Sequence, residues 1–333
     1  MKNSLNFGPH ESFGIAKDRF MSAQHFFRTE IQKEMEADEL SGIRRELAFL
    51  KEEKEMNATA LVLANLQKAE VEQYKLIIEE KNKNITDSIN YARRIQRAIL
   101  PGKEAIYTDL GDSFVLFKPK DIVSGDFYFH HKHKDSILIA AADCTGHGVP
   151  GAFMSIMGLE KLHATIPVHK DPADILKCLN NGIKTSLQQS ESHEFTADGM
   201  DIALCSINTT SRRVEFAGAN RPLWIIRKGQ NTVEEIKGTK KEIGGTSEFD
   251  QCYESHSLEL EEGDAFYIFS DGYADTFSGQ SAKKLTTKRF KQTLLEIQGK
   301  PMQEQQHYLN DFVEIWKAGA EQIDDILVIG VRL

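Results

Sequence analysis

Four aspartates in this 333-residue chain stand where apolar runs begin or end: Asp126 in "SGDFYFHH", Asp143 in "SILIAAADC", Asp271 in "AFYIFSDG" and Asp324 in "QIDDILVIGVRL". A hairpin through "KHKD" at 132–135 sets residue 126 opposite a position within about two residues of 143. If antiparallel pairing also carries residues 271 and 324 to that edge, four carboxylates meet. Carboxylates crowded without a counter-charge repel one another and must take up protons or a cation. Oxygen donors completed by water favour Mg²⁺ or Mn²⁺ over Zn²⁺. Two such ions bridged by a water form an arrangement that cleaves phosphate esters. Taken singly, an aspartate at a strand end is equally an ordinary turn residue or cap, and only convergence separates the two readings.

The elements that must position these residues begin after Pro101, where short apolar runs alternate with turn residues. The pattern predicts strands over 113–118, 126–131, 136–142, 200–207, 213–218, 222–227, 253–259, 264–269 and 325–332. Helices are expected near 150–165, 171–188, 286–297 and 301–318. Most consecutive strands are joined by short turns, so the class is α+β, mainly antiparallel sheets covered by helices. Gly146 and Gly148 allow a tight turn between strand and helix, and no Lys-Ser/Thr follows to make a P-loop. "FHHKHKD" at 129–135 alternates between the faces of its hairpin and reads as a solvated tip, not a chelating set. Cys144, Cys178, Cys205 and Cys252 form no CxxC pair and read as reduced packing residues.

Between Gly42 and Pro101 there is neither glycine nor proline, and the segment is rich in Glu, Lys, Ala and Leu. That composition predicts one long helix, a rod on the order of 85 Å. A heptad frame runs through Ile43, Leu50, Ala64, Val71, Ile78, Ile85 and Ala92, with Leu47, Leu61 and Ile89 at the companion position. Lys54, Lys68 and Lys75 interrupt that seam. A dimeric coiled coil is the expectation, and a solvated single helix the alternative. The organisation expected is a helical extension at 1–42, ending near Ser41-Gly42, a helical linker at 43–100 and a catalytic-type domain at 101–333. The net charge of −9 argues against a nucleic-acid-binding face. No apolar run is long enough to span a bilayer, no signal peptide is evident, and the expected compartment is the cytoplasm.

The strings "VSGDFY", "ADCTGHGVPGAFMS", "FAGANRPLW", "FSDGYAD" and "DDILVIGV" resemble, in order and interval, the SpoIIE-type or RsbU-like branch of the PPM metal-dependent serine/threonine phosphatases, relatives of protein phosphatase 2C. The resemblance runs from about residue 85, where "ITDSINYARRIQRAILP" looks like a linker helix, to Leu333. It implies an αββα sandwich and two Mn²⁺ or Mg²⁺ ions. Asp143 looks like the bridging carboxylate, the backbone carbonyl of Cys144 a further ligand, and Asp271 and Asp324 the remaining carboxylate ligands. Asp126 matches the aspartate that binds a metal or its waters, and Asp325 is the alternative to Asp324. His147 matches a histidine proposed as general acid, although Cys144 and Thr145 alter its spacing, and an imidazole suits proton transfer near neutrality.

The basic residue that grips substrate phosphate in eukaryotic relatives has no clear counterpart. Arg221 is the candidate, against an exposed turn arginine. Asp198 and Asp201 are either extra metal contacts or turn residues. Ser124 stands where many relatives have glycine. The activity implied is hydrolysis of phosphoserine or phosphothreonine on a protein, such as a phosphorylated anti-sigma-factor antagonist, in a homodimer regulated through the 43–100 helix. The competing reading is a non-catalytic coiled-coil adaptor that uses a phosphatase-like domain to bind a partner.

Overall fold

Helix α1 runs from Pro9 to Ile99 without the break expected at Ser41-Gly42. The hydroxyl of Ser41 donates back to the carbonyl of Asp38 at 2.9 Å, inside the helix, instead of capping a new one. A lone glycine costs a helix about 1 kcal/mol relative to alanine. With no proline between Pro9 and Pro101, that cost does not interrupt a helix of 91 residues. The computed structural model describes residues 9–166, 168–189, 197–281 and 283–333, so the expectation for residues 1–8 lies outside it. The chain divides into two compact units, the first ending at Lys83 and the second spanning Asn84–Leu333. In the first unit, Ile43, Leu47, Leu50, Leu61, Val71 and Ile78 of the heptad frame are all at least 50% exposed.

The second unit contains the last turns of α1, then α2 (Lys103–Leu110), β1 (Ser113–Lys118), β2 (Phe127–His133), β3 (Ser136–Cys144), α3 (Gly148–Thr165), α4 (Pro172–Ser186), β4 (Gly199–Asn208) and β5 (Arg213–Ala219). There follow β6 (Leu223–Ile226), β7 (Glu234–Ile236), β8 (Ile243–Gly244), β9 (His256–Glu259), β10 (Ala265–Phe269), α5 (Gly272–Asp275), α6 (Thr286–Ile297), α7 (Met302–Lys317) and β11 (Ile326–Arg332). One sheet has the order β1-β11-β10-β6-β7 and the other β2-β3-β4-β5-β9, with β8 beside β4. The paired strands are antiparallel, as the short connections require.

Alternation along single strands shows why both faces of each sheet are apolar. In β3, Ile137, Ile139 and Ala141 enter the core between the sheets, with Phe266, Ile268, Leu327 and Ile329 from the other sheet. Its alternate residues, Leu138, Ala140 and Ala142, pack against Leu159 and Leu162 of α3 and Leu176 and Leu179 of α4. On the other side, Phe114, Tyr267, Phe269 and Val328 meet Phe290 and Leu294 of α6 and Leu309 and Val313 of α7. The four layers are therefore helix, sheet, sheet, helix, as the sequence motifs imply. A strand buried on both faces reads as a continuous apolar run, which is what "ILIAAA" is.

The cysteines are unpaired. Cys144 and Cys205 are buried as expected, but Cys252 is exposed, because it sits in the irregular segment ahead of β9. No helix among the described residues is long and apolar enough to cross a membrane.

Candidate active site

The β2–β3 register pairs Phe127 with Ala142, so Asp126, one residue before β2, falls beside Asp143. The β3–β4 register sets Asp143 directly opposite Asp201. In the second sheet, β10 and β11 pair Phe269 with Val328, and the Ser270 N–H donates to the Leu327 carbonyl at 2.9 Å. Asp271 and the Asp324-Asp325 pair thereby leave their strands at the same end. Gly272 permits that approach: a Cβ there would lie 1.9 Å from the Asp325 carbonyl oxygen. Gly146 and Gly148 have φ of 82° and 65°, the left-handed turn expected between β3 and α3.

Asp143, Cys144, His147, Asp201, Arg221, Asp271 and Asp324 line one cavity of about 370 Å³. Asp126 lies beneath it, 2% exposed. Arg221 is the centre of charge. Its Nη2 donates to Asp143 Oδ2 at 2.7 Å and to Asp271 Oδ2 at 2.8 Å, and stands 3.3 Å from Asp201 Oδ2. Asn220, in the left-handed region at φ 58°, donates to Asp201 Oδ1 at 2.7 Å and turns Arg221 into the cavity. Against the burial that would lower it, the carboxylates of Asp143, Asp271 and Asp201 hold the guanidinium above the usual arginine range.

The carboxylates remain crowded in spite of this cation. Burial pushes Asp143 up to about 7, and Asp271, Asp324 and Asp201 add to the rise while Arg221 opposes it. Asp126 is raised well above the carboxylate range by burial and then by Asp143. Asp324 and Asp201 are raised as well, first by burial and then by Asp271. Burial and the neighbouring Asp143 likewise push the Cys144 thiol up, keeping it a neutral packing group.

The site fits a hard cation in charge and donor type. The clearest sign is Asp126 Oδ2, a buried carboxylate oxygen with no hydrogen-bond partner. Among the described residues, no three His, Cys, Asp or Glu side chains already surround a single point, since those lining the cavity are oriented around Arg221. The expected alternative ligand, Asp325, is separated from Asp324 by its role. It is 2% exposed and accepts from the Lys120 and Gly125 N–H groups, each at 2.7 Å, whereas Asp324 faces the cavity. Asp198 does not line the cavity; its carbonyl accepts from the Gly245 N–H at 3.1 Å.

His147 is exposed at the cavity rim, just ahead of α3. Its Nδ1 lies 2.7 Å from Asp121 Oδ2 and its Nε2 3.0 Å from Lys120 Nζ. The sequence reading named neither Lys120 nor Asp121. Both stand in "KPKDIVSGD", immediately before the first motif, where a charged pair in a loop gives no periodic signal. The histidines of the β2–β3 hairpin form no metal set: His130 pairs with Asp109 at 3.1 Å, and Lys132 with the same carboxylate at 2.6 Å.

A family model described as Stage II sporulation protein E (SpoIIE) matches residues 133–333. Phosphoserine phosphatase RsbU of Bacillus subtilis (strain 168) is 25% identical over 273 residues, covering 78% of this chain and 77% of RsbU. The solved SiaA-PP2C domain of Pseudomonas aeruginosa superposes with a TM-score of 0.69 at 32% identity, over 76% of this chain and 98% of that one. The PP2C phosphatase domain of SpoIIE from Bacillus subtilis, with a fragment of its regulatory domain, gives a TM-score of 0.54 at 21% identity, over 66% and 62%. The fold and these matches define a PP2C-type protein serine/threonine phosphatase. The chain belongs to the SpoIIE family.

Proposed function

We propose that this phosphatase uses two divalent cations, Mn²⁺ or Mg²⁺, to hydrolyse phosphoserine or phosphothreonine on a cytoplasmic protein. The observation that carries the reading is the unpartnered, buried Asp126 oxygen under a ring of carboxylates that burial and mutual repulsion hold above their ordinary range. Asp143, Asp271 and Asp324, with Asp126 and the Cys144 carbonyl, are the residues that would hold the ions. Bound there, a divalent cation supplies Lewis acidity and an activated water. Arg221 must release Asp143 and Asp271 before those carboxylates can turn to a cation, and Asp201, 3.3 Å away and outside that set, remains to hold it.

The ring of His147 is held by Asp121 at Nδ1, leaving Nε2 as the atom that gives a proton to the departing serine or threonine oxygen. The adaptor reading leaves the shared placement of these carboxylates without a purpose. Hydrolysis of a phosphoserine peptide by the full chain is expected to require added Mn²⁺ or Mg²⁺ and to stop with EDTA. Turnover unaffected by EDTA would refute the metal mechanism.

The N-terminal helix is proposed as the regulator, and a phosphorylated anti-sigma-factor antagonist as the type of substrate, on the likeness to RsbU. Gln96, near the end of α1 and within the second unit, is 3% exposed. Its Nε2 donates to the Ser124 carbonyl at 2.6 Å and to Ser155 Oγ at 2.8 Å, and its Oε1 accepts from the Ser124 N–H at 3.2 Å. The helix end thus holds the loop that delivers Asp126. The heptad residues of the first unit are exposed among the described residues, which supports a homodimer. Light scattering should give twice the chain mass for the intact protein and the single-chain mass for a form beginning at Asn84. One chain mass for both disproves the coiled coil.

A further inference from the structure

We propose that Lys120 is the cation that receives the substrate phosphate and that Asp121 is the positioning residue for His147, a reading that rests on the phosphatase function above and deepens it. Two cations stand near this site: Arg221 lines the cavity, and Lys120, outside the lining, reaches its rim through His147. Arg221 is bound by three carboxylates. Lys120 has no ion pair with a carboxylate among the described residues, and its ammonium instead meets His147 Nε2 at 3.0 Å. A doubly charged phosphate competes well for this ammonium, because it adds a charge–charge attraction that a neutral imidazole nitrogen does not offer.

The placement of Lys120 is built into the fold. Its N–H donates at 2.7 Å to Asp325 Oδ1, and Oδ2 of the same buried carboxylate accepts from Gly125 at 2.7 Å, one residue before Asp126. Asp325 therefore ties the stem of Lys120 and the loop carrying a candidate metal ligand to one anchor. Gly148 keeps Asp121 close to the turn: a Cβ there would lie 3.2 Å from Asp121 Oδ2.

The chemistry of the partners fixes the histidine tautomer. A carboxylate only accepts and an ammonium only donates, so Nδ1 carries the hydrogen toward Asp121 and Nε2 offers its lone pair to Lys120. Transfer of Lys120 to the phosphate frees Nε2 at the moment substrate arrives. That nitrogen can then take a proton from solvent and pass it to the leaving oxygen as the phosphorus–oxygen bond breaks, while a water oxygen bonds to phosphorus and returns one proton to solvent. Asp121 keeps the ring turned the right way throughout.

The test uses the full chain with Mn²⁺ and inorganic phosphate as probe, followed by ³¹P NMR or calorimetry, beside hydrolysis of a phosphoserine peptide and of an aryl phosphate. Lys120→Met should weaken phosphate binding and raise KM for the peptide about 10-fold or more, the range for losing a charged hydrogen bond. Lys120→Arg should restore both, and Mn²⁺ affinity should not change. Asp121→Asn should lower kcat on the peptide with KM retained, and spare the aryl phosphate, whose leaving group needs no proton. Equal phosphate affinity in wild type and Lys120→Met overturns the assignment of Lys120. Equal loss on both substrates in Asp121→Asn overturns the positioning role. A wild type that binds phosphate through Lys120 but hydrolyses neither ester overturns the phosphatase function and leaves the phosphate site standing. A wild type that binds no phosphate overturns the site itself.

Discussion

Asp143→Asn is expected to lower Mn²⁺-supported hydrolysis of a phosphoserine peptide by on the order of 10³-fold, the upper range for removing one preorganised electrostatic group. Asp143 is the position where both sheets meet the cavity: it follows Ala142 in β3, faces Asp201 across the β4 ladder, and touches Arg221, which also holds Asp271. Asparagine keeps the shape and one carbonyl oxygen but removes the negative charge that a divalent cation needs. The fold should survive the exchange. Burial already pushes Asp143 up to about 7, so the folded chain disfavours its charge, and a neutral isostere relieves repulsion from Asp271, Asp324 and Asp201. Steady-state kinetics with a melting curve on the same samples checks the result. Full activity in Asp143→Asn would sink the mechanism, and loss of activity together with loss of folding would make the residue structural.

The sequence made the four strand-end aspartates visible because strand pairing is a strong constraint. Once "FYFHH" and "ILIAAAD" form a hairpin, Asp126 can only fall near Asp143, and the observed register places it there. Asp271 and Asp324 were legible for the same reason through β10 and β11. Arg221 was visible only as a residue in a motif. Its ring of carboxylates depends on the left-handed Asn220 and on the pairing of Asp143 with Asp201, two positions 58 residues apart in sequence. No local pattern encodes that meeting. Lys120 and Asp121 were hidden for a similar reason: their roles come from the anchor at Asp325, about 200 residues onward. The absence of a break at Gly42 shows the reverse error, in which a local signal was given more weight than the uninterrupted helical sequence around it.

In the absence of divalent cations, stability is expected to fall as pH rises from about 4 to about 7. The sign follows from proton binding. Asp143 has an ordinary value of 3.8 and is pushed up to about 7 in the folded protein, first by burial and then by its acidic neighbours against Arg221. Asp126 is raised as well, by burial and then by Asp143. Asp143 therefore holds a proton in the folded state over a range where the unfolded chain has lost it, Asp126 acts in the same direction, and stability decreases with pH there. Glu235 and Glu314, held below their ordinary 4.5 by hydrogen bonds from Lys291 and Lys118, add a contribution that is lost only on acidification below that value. His130, lowered chiefly by burial, has the opposite slope to Asp143, but it is present in wild type and Asp143→Asn alike, so the difference between the two proteins isolates the carboxylate. Mn²⁺ competes with the protons for the same oxygens, so the melting temperature gained on adding it should be small near pH 4 and grow until about pH 7. In Asp143→Asn both the decline and the pH dependence of the Mn²⁺ gain should flatten. Thermal melts across this range, with and without Mn²⁺, decide the matter: a Mn²⁺ gain of equal size at every pH would mean that the ion binds elsewhere than at these carboxylates.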